Sequence, residues 1–443
     1  STTKTYAELL TTNVVKNVKC KNGSVAEWNY EKEAVVISKI KTPDYCTINF
    51  GDGYTVTLTA TNGTVSPSSQ VTGYNGSVSF TVSPNSSFKA ELETNTCGGI
   101  LSGNTYTISN ITGNKTCTIS FRSLPTLYDQ ILADNPTRRT RTTFTEFFTE
   151  NTTGTLFTAT ESIAGSTPKK VYYYAGNTTN NWVKFANLYW RIIRTNHDGS
   201  IRLLYSGTNH NTTEGYIGIS AFNTSYNSPV YVGYKYGTSI GSNRQNTNDS
   251  TIKKYVDNWY NNNLSSYSKY ISTEAVYCND RELEPGQEYS DNPFNYAPTG
   301  RYSTTKTPTY NCTNIKDAFS GSNSEAKLTY PIGLMTSDEI SYAGGKTGTV
   351  LPSPYAWYYL NSAGGSITGS TYWWTLSPRH WGGSDSSVWF VDGPGYPGRL
   401  SNGVVGSSFA LRPAISLKSC TKWANGDGSS SNPYTIQETT SGC

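Results

Sequence analysis

Alternating apolar and polar residues mark the first part of the chain as β-structure. The segment that begins at Tyr54 reads YTVTLTATNGTVSPSSQ, and the one that begins at Gly76 reads GSVSFTVSPNSSFKAEL. Both have apolar residues at every second position, and Asn-Gly and Ser-Pro turns interrupt them. This pattern predicts short strands with one buried face, joined by tight turns.

An internal repeat accompanies these strands. The sequence ISKIKTPDYCTINF, from Ile37 to Phe50, matches ISNITGNKTCTISF, from Ile108 to Phe121, without a gap. Seven positions are identical at a spacing of 71 residues, and both copies end in an alternating strand that contains a cysteine. Repetition of a small unit predicts a modular array. We therefore expect a partial β-repeat module in residues 1–50 and a second module in residues 51–122.

Beyond residue 122 the pattern becomes mixed. SLPTLYDQILADNP predicts a short helix that Pro136 stops, and STIKKYVDNWYNNN, beginning at Ser250, has apolar residues at helical spacing. In MTSDEISYAGG, Thr336 and Glu339 predict a capping box at a third helix start. The strands NLYWRIIRT and SIRLLYSG flank an Asp-Gly turn, which predicts a hairpin. Residues 123–443 are expected to form one α+β domain in which strands predominate.

Eight cysteines lie in four neighbouring pairs along the chain, and none forms a C-x-x-C motif. An even number of cysteines in a Thr- and Asn-rich chain is typical of disulfides in an extracellular protein. The alternative is eight buried free thiols. Each pair flanks one β-unit, so the predicted disulfides are Cys20–Cys46, Cys97–Cys117, Cys278–Cys312 and Cys420–Cys443.

Charge and hydropathy argue against a nucleic-acid partner and against a transmembrane segment. The net charge is +4, only 15% of residues are charged, and Lys and Arg cluster only from Arg138 to Arg141. A nucleic-acid binder would carry a basic stripe, so we expect none as a partner. No apolar run approaches the roughly 18–20 residues that a transmembrane helix needs. We therefore expect no transmembrane segment in this chain.

Catalytic patterns are scarce. The three histidines lie in different segments, His197 in the predicted hairpin turn, His210 in an Asn- and Thr-rich loop and His380 near the C-terminus, and no H-E-x-x-H or G-x-S-x-G motif occurs. The carboxylates in CNDRELEPGQE are interpreted as a solvated loop. GPGYPG and GGKT imitate phosphate-binding loops but lack the strand–turn–helix context. These observations predict no enzyme activity, no catalytic residue, no cofactor and no metal.

Two resemblances extend this interpretation. Residues from about Phe50 to Phe121 resemble the divergent repeats, related to the internalin B repeat, of bacterial surface proteins; this implies a stalk. The motifs YPIGLMTSDEISYAGG, YWWTLSPRHW, VWFVD and FALRPAISL resemble the C-type lectin fold used by variable proteins of diversity-generating retroelements. In that family a reverse transcriptase rewrites AAY codons while the scaffold stays fixed.

The resemblance implies a variable region at about residues 379–409. Arg379 to Phe409 contains no Lys, Glu, Gln or Met, which randomised AAY codons cannot encode. It implies a fixed scaffold of Trp373, Trp374, Trp381, Trp389 and Arg412. The implied ligand-binding residues, expected on one exposed face with the rings of Phe390 and Tyr396 outward, are Arg379, His380, Gly382, Gly383, Ser384, Asp385, Phe390, Tyr396, Arg399 and Asn402.

The expected function is therefore ligand binding. The resemblance implies a protein displayed on a bacterial cell surface or a phage virion, whose C-type-lectin-like face recognises a protein or cell-surface ligand. The first alternative is a non-variable adhesin or pilus-tip subunit. The second is an oxidase that resembles formylglycine-generating enzymes, which share the fold but need active-site cysteines; here only Cys420 lies near the last strands. The calcium motifs of sugar-binding C-type lectins are absent from the sequence.

Overall fold

The chain divides into two compact units, unit 1 (Ser1–Leu124) and unit 2 (Pro125–Cys443). A computed structural model describes residues 14–29, 32, 34–41, 43–51, 53–73, 75–348, 368, 371–393 and 398–443. The division falls two residues after the end predicted for the second repeat module. The described part of the chain is rich in β-strands.

The regular elements of unit 1 among the described residues are strands. They are β1 (Val14–Cys20), β2 (Val25–Asn29), β3 (Ala34–Ser38), β4 (Cys46–Gly51), β5 (Tyr54–Thr61), β6 (Gly63–Ser66), β7 (Ser69–Thr72), β8 (Gly76–Pro84), β9 (Phe88–Asn95), β10 (Ile100–Ser102), β11 (Thr105–Ile111) and β12 (Lys115–Ser123).

The second repeat module is a two-sheet sandwich. One sheet has the strand order β10-β11-β8-β6 and the other the order β7-β5-β12-β9. Strand β12 pairs with β5 in parallel and with β9 in antiparallel orientation. Alternating side chains of both sheets, including Val56, Phe80, Ile108 and Ile119, share one buried core. The period-two pattern of the sequence is therefore the inward and outward alternation of these strands.

The partial module repeats half of this arrangement. Strand β1 pairs with β4 as β9 pairs with β12, and Ile48 lies opposite Val18 as Ile119 lies opposite Asn95. Both pairs contain a register shift two residues farther along, at Phe50 and at the equivalent Phe121. The hairpin of β2 and β3 corresponds to that of β10 and β11. The sequence repeat is thus a structural repeat.

Unit 2 combines many short strands with a few helices. The α-helices in the described part of this unit are α1 (Leu127–Asp134), α2 (Thr251–Asn263), α3 (Ala297–Gly300) and α4 (Ser337–Ala343). The strands are β13 (Thr137–Arg139), β14 (Thr155–Glu161), β15 (Lys169–Tyr173), β16 (Trp182–Phe185), β17 (Leu188–Thr195), β18 (Ile201–Tyr205), β19 (Ile219–Ala221), β20 (Lys235–Tyr236), β21 (Asn248–Asp249), β22 (Tyr277–Cys278), β23 (Phe294–Asn295), β24 (Ala318–Phe319), β25 (Gly333–Leu334), β26 (Lys346–Thr347), β27 (Trp373–Trp381), β28 (Ser386–Val391), β29 (Arg399–Val404), β30 (Ser408–Ala410), β31 (Pro413–Leu417), β32 (Trp423–Asn425) and β33 (Thr435–Ile436).

Two larger sheets organise unit 2. The first has the order β13-β14-β15-β17-β18-β31-β25, with β16 added to β17. The second has the order β19-β30-β27-β28-β29-β26, with β23 added to β27. One core takes buried side chains from both, for example Trp190 of β17 and Trp373 and Trp374 of β27. The second sheet carries most of the predicted binding residues.

The local predictions for unit 2 and the disulfide predictions for both units are confirmed. Helices α1, α2 and α4 lie where the sequence predicted them, and the Thr336–Glu339 capping box is present. Strands β17 and β18 form the hairpin across the Asp-Gly turn. The structure also contains the four predicted disulfides, Cys20–Cys46, Cys97–Cys117, Cys278–Cys312 and Cys420–Cys443. Four disulfides fit folding in an oxidising environment.

Candidate ligand-binding surface

The predicted variable region begins with the antiparallel hairpin of β27 and β28. Trp381 lies opposite Ser386, and residues Gly382 to Asp385 form the turn between them. The amide of Gly382 donates a hydrogen bond to the carbonyl oxygen of Asp385 at 2.8 Å. Gly383 has a φ of 88°, a left-handed conformation that favours glycine. The turn is thus closed by its own backbone and depends on a glycine.

The five predicted scaffold residues, Trp373, Trp374, Trp381, Trp389 and Arg412, are all buried. The indole N–H groups of Trp374 and Trp381 donate hydrogen bonds to backbone carbonyl oxygens, each at 3.0 Å. The guanidinium of Arg412 lies 4.9 Å from the centre of the Trp373 ring. A buried cation over an indole face is favourable because the ring carries partial negative charge there. These side chains fix the sheet beneath the hairpin.

A buried ion network connects the hairpin to the first sheet. Glu339 accepts hydrogen bonds from Arg194 Nε at 2.8 Å and from Arg202 Nη1 at 2.7 Å. Glu339 also closes the capping box of α4 by accepting a hydrogen bond from the amide of Thr336. The amide of Ser337, the first residue of α4, donates a hydrogen bond to Ser377 Oγ at 2.9 Å. Because Ser377 belongs to β27, the network holds that strand in place.

Glu161 extends the same network. Its carboxylate accepts from Arg194 Nη2 at 2.9 Å, and it also lies beside His197. Burial alone would raise the pKa of Glu161, but Arg194, His197 and Arg202 together lower it to about 2. The carboxylate therefore stays ionised at any physiological pH, as a buried pair with arginine requires.

A second set of contacts holds the end of β27 that lies next to the hairpin turn. The carbonyl oxygen of Arg379 accepts from the amide of Tyr296 at 3.0 Å and from Thr299 Oγ1 at 2.6 Å. Strand β23 pairs with β27 at the same end, with Asn295 opposite His380. The hairpin therefore projects from a backbone that is bonded on both sides.

Seven of the ten predicted binding residues lie at this end of the hairpin. Gly382, Gly383 and Ser384 are exposed at the turn, while Arg379, His380 and Asp385 are half-buried. His380, Ser387 and Val404 lie side by side across β27, β28 and β29. Asn402 is two residues from Val404 on β29 and therefore shares its face. We call the following set the hairpin surface: Tyr226, Arg379, His380, Gly382, Gly383, Ser384, Asp385, Asn402 and Val404.

Sequence reasoning missed two members of the hairpin surface. Tyr226 is 50% exposed and Val404 is 36% exposed. The carbonyl oxygen of Tyr226 accepts from the amide of Ser386, which brings the tyrosine beside the hairpin although it lies far away in sequence. Only the fold could reveal Tyr226. Val404 could have been identified from the alternation along RLSNGVV, because Val404 lies two residues after Asn402 and therefore on the same face of the strand.

His380 is neutral at physiological pH. Burial and the neighbouring guanidinium of Arg379 lower the pKa of His380 to about 4. Ser387 Oγ lies 2.5 Å from Nδ1 of the ring. The side chain therefore contributes a neutral ring and a hydrogen-bonding edge to the hairpin surface, without a charge.

The expected outward orientation of Phe390 is wrong. Its side chain is only 6% exposed, stacked on Tyr372 at 5.0 Å between ring centres and packed against Phe409 at 4.7 Å. The reason is that the rings of Tyr372 and Phe409 cover Phe390, and all six residues of β28 are buried, so that other side chains cover both faces of the strand. A strand covered on both faces displays none of its side chains.

The predicted residues also do not share one face. Arg399 and Asn402 are three positions apart on β29, so their side chains point to opposite faces of the sheet. The Nε of Arg399 donates to the carboxylate of Asp392. The other predicted ring, that of Tyr396, lies outside the described residues. Phe390 and Arg399 are therefore not part of the hairpin surface.

Comparison with known proteins found no family model, no curated protein and no solved structure that matches the chain. Within the described ranges, no group of three or more His, Cys, Asp or Glu side chains could hold a metal ion. No helix among the described residues is long and apolar enough to cross a bilayer.

Proposed function

We propose that the chain is a binding protein, displayed on a bacterial cell surface or a phage virion, whose C-type-lectin-like unit 2 recognises a protein or cell-surface ligand through the hairpin surface. One observation carries the proposal. The hairpin rests on a frame of five buried scaffold residues, and it ends in a surface of exposed Tyr, Val, Gly, Ser and Asn residues. A rigid frame lowers the entropic cost of binding, because the displayed groups are already in place.

The residue types of the hairpin surface suit recognition of a macromolecule. Tyr and Arg, here Tyr226 and Arg379, are enriched at binding hot spots. Gly, Ser and Asn, here Gly382, Ser384 and Asn402, supply adaptable hydrogen bonding at low steric cost. An exposed aromatic ring beside polar groups is also typical of interaction sites in soluble domains.

Diversification by a retroelement is part of the proposal, restricted to positions that can vary without disturbing the frame. These positions are Arg379, His380, Gly382, Ser384, Asp385 and Asn402. The second candidate is a non-variable adhesin or pilus-tip subunit with the same binding surface. The burial of Phe390 and the left-handed φ of Gly383 favour this second candidate, because both positions resist free substitution.

The binding proposal is tested with labelled protein on intact bacterial cells. The fluorescent chain is titrated onto a panel of strains by flow cytometry, and the apparent Kd is measured for each strain that binds. The double variant Tyr226→Ala/Val404→Ser should weaken binding by about tenfold or more, as loss of a hot-spot ring does.

The matched control removes the same side-chain types elsewhere on unit 2. Tyr255 and Ile219 are exposed at 38% and 48%. Tyr255→Ala/Ile219→Ser should leave the apparent Kd unchanged. Equal loss of binding in both variants, or in the control alone, would contradict the hairpin surface as the binding site.

A further inference from the structure

The partial repeat module exposes apolar side chains that its complete counterpart buries. Ile40 is 68% exposed, whereas the equivalent Ile111 is fully buried. Ile37 and Ile48 are likewise exposed, while their equivalents Ile108 and Ile119 lie in the core. The sequence is identical at these positions, so the difference arises from the surroundings.

The backbone of the two modules shows that they are true equivalents. From Ile48 to Phe50, the pairing of β1 with β4 has the register that β9 and β12 have from Ile119 to Phe121, including the register shift before the phenylalanine. Lys39 and the equivalent Asn110 both have left-handed backbone, with φ of 48° and 57°. The described strands of the partial module are therefore folded like their counterparts, and no described strand covers their apolar face.

The complete module shows what covers this face. Ile108 of β11 lies opposite Val78 of β8, and Ile119 of β12 lies opposite Ala60 of β5. Val56, Leu58, Phe80 and Val82 of the same two strands belong to the common core. The covering element is thus the segment from β5 to β8, Tyr54–Pro84.

The hydrogen-bonding edges of the partial module are open as well. Among the described residues, β3 pairs only with β2 and β4 only with β1. The equivalent edges of β11 and β12 are occupied by β8, in antiparallel orientation, and by β5, in parallel orientation. Open edges beside an apolar face accept added strands, because main-chain hydrogen bonds and side-chain burial then form together.

We propose that β3 and β4 form an acceptor surface for a β-segment of the repeat type, with the apolar alternation of Tyr54–Pro84. The partner adds one strand antiparallel to β3 and one parallel to β4, and its alternate apolar side chains cover Ile37, Ile40 and Ile48. A second copy of the present β1–β4 segment does not fit, because it lacks the equivalents of β5 and β8.

The test supplies such a segment to the full chain. A copy of residues 52–84 is fused ahead of Ser1, with the chain's own first 13 residues as part of the linker, and hydrogen exchange is followed by mass spectrometry. Exchange in Ala34–Ser38 and Cys46–Gly51 should slow at least about tenfold relative to the unfused chain. The matched control is the same fusion with the copies of Val56, Leu58, Val78, Phe80 and Val82 replaced by Ser, and it should show no slowing.

Three results would overturn the proposal. The first is no slowing in the fusion, and the second is equal slowing in the control, which would show that the apolar side chains are irrelevant. The third is that Cys46–Gly51 of the unfused chain already exchanges as slowly as Lys115–Ser123. If this slow exchange of Cys46–Gly51 becomes faster when the unfused protein is diluted, a second copy of the chain covers the apolar face of the partial module instead.

Discussion

At the scale of single residues, Gly383 tests how freely the hairpin turn can vary. Its φ of 88° is costly for residues with a Cβ, by about 1–2 kcal/mol, whereas Asn tolerates this region. Gly383→Val should therefore lower the free energy of unfolding by about that amount, and Gly383→Asn by clearly less. Chemical denaturation of the two variants measures the difference. Equal costs would show that the turn does not constrain this position.

Glu161 tests the buried ion network that supports the hairpin. Removing its charge leaves Arg194 buried without one of its partners, so Glu161→Gln should destabilise unit 2 by about 3–5 kcal/mol. Glu150 pairs with Arg139 at the surface, and Glu150→Gln should change stability by less than about 1 kcal/mol. Urea denaturation compares the two variants, and similar losses would contradict the importance of burial.

His380 predicts a pH dependence of stability. Its pKa is about 4 in the folded chain and about 6.5 in an unfolded one, so the unfolded state binds more protons between these values. Stability contributed by His380 is therefore lost as the pH falls from about 6.5 to 4. The Tm of the wild type should fall more between pH 7 and pH 4.5 than that of His380→Gln. Parallel decreases in Tm would show that His380 does not titrate in this way.

At the scale of elements, the two repeat modules provide a matched comparison. Ile119→Ala removes a fully buried side chain and should cost about 2–5 kcal/mol in the second module. Ile48→Ala changes an exposed residue of the partial module and should cost less than about 1 kcal/mol. Hydrogen exchange of β12 and of β4 reports each local stability. A large cost for Ile48→Ala would mean that this side chain is covered in solution.

Elements with local signals could be predicted from the sequence, and those without such signals could not. The Thr336–Glu339 box and the Asp-Gly turn specify their structures within a few residues, and both are present. The burial of the Phe390 side chain depends instead on the rings of Tyr372 and Phe409, which the fold brings against it. Because β28 is buried on both faces, its two polar residues, Ser386 and Ser387, do not mark an exposed side, and its sequence carries no such information. Register shifts near Arg379 further interrupt the alternation of β27.

At the scale of the whole molecule, unit 2 separates a fixed frame from a displayed surface. The frame consists of the buried tryptophans, Arg412 and the network around Glu339. The displayed surface is the hairpin surface defined above, which combines the turn, the adjoining residues of β27 and β29, and Tyr226. Such a separation lets surface residues change while the core that determines stability stays the same.

The most direct measurement is the sequence of the codons for residues 371–417 in many clones of the source, together with the neighbouring DNA. If the displayed surface is diversified, substitutions should concentrate at Arg379, His380, Gly382, Ser384, Asp385 and Asn402. They should match adenines in a near-copy template beside a reverse-transcriptase gene, while the codons of Trp373, Trp374, Trp381, Trp389 and Arg412 stay constant. Substitutions spread evenly over frame and surface, or the absence of such a template, would contradict a diversified surface and leave the ordinary adhesin.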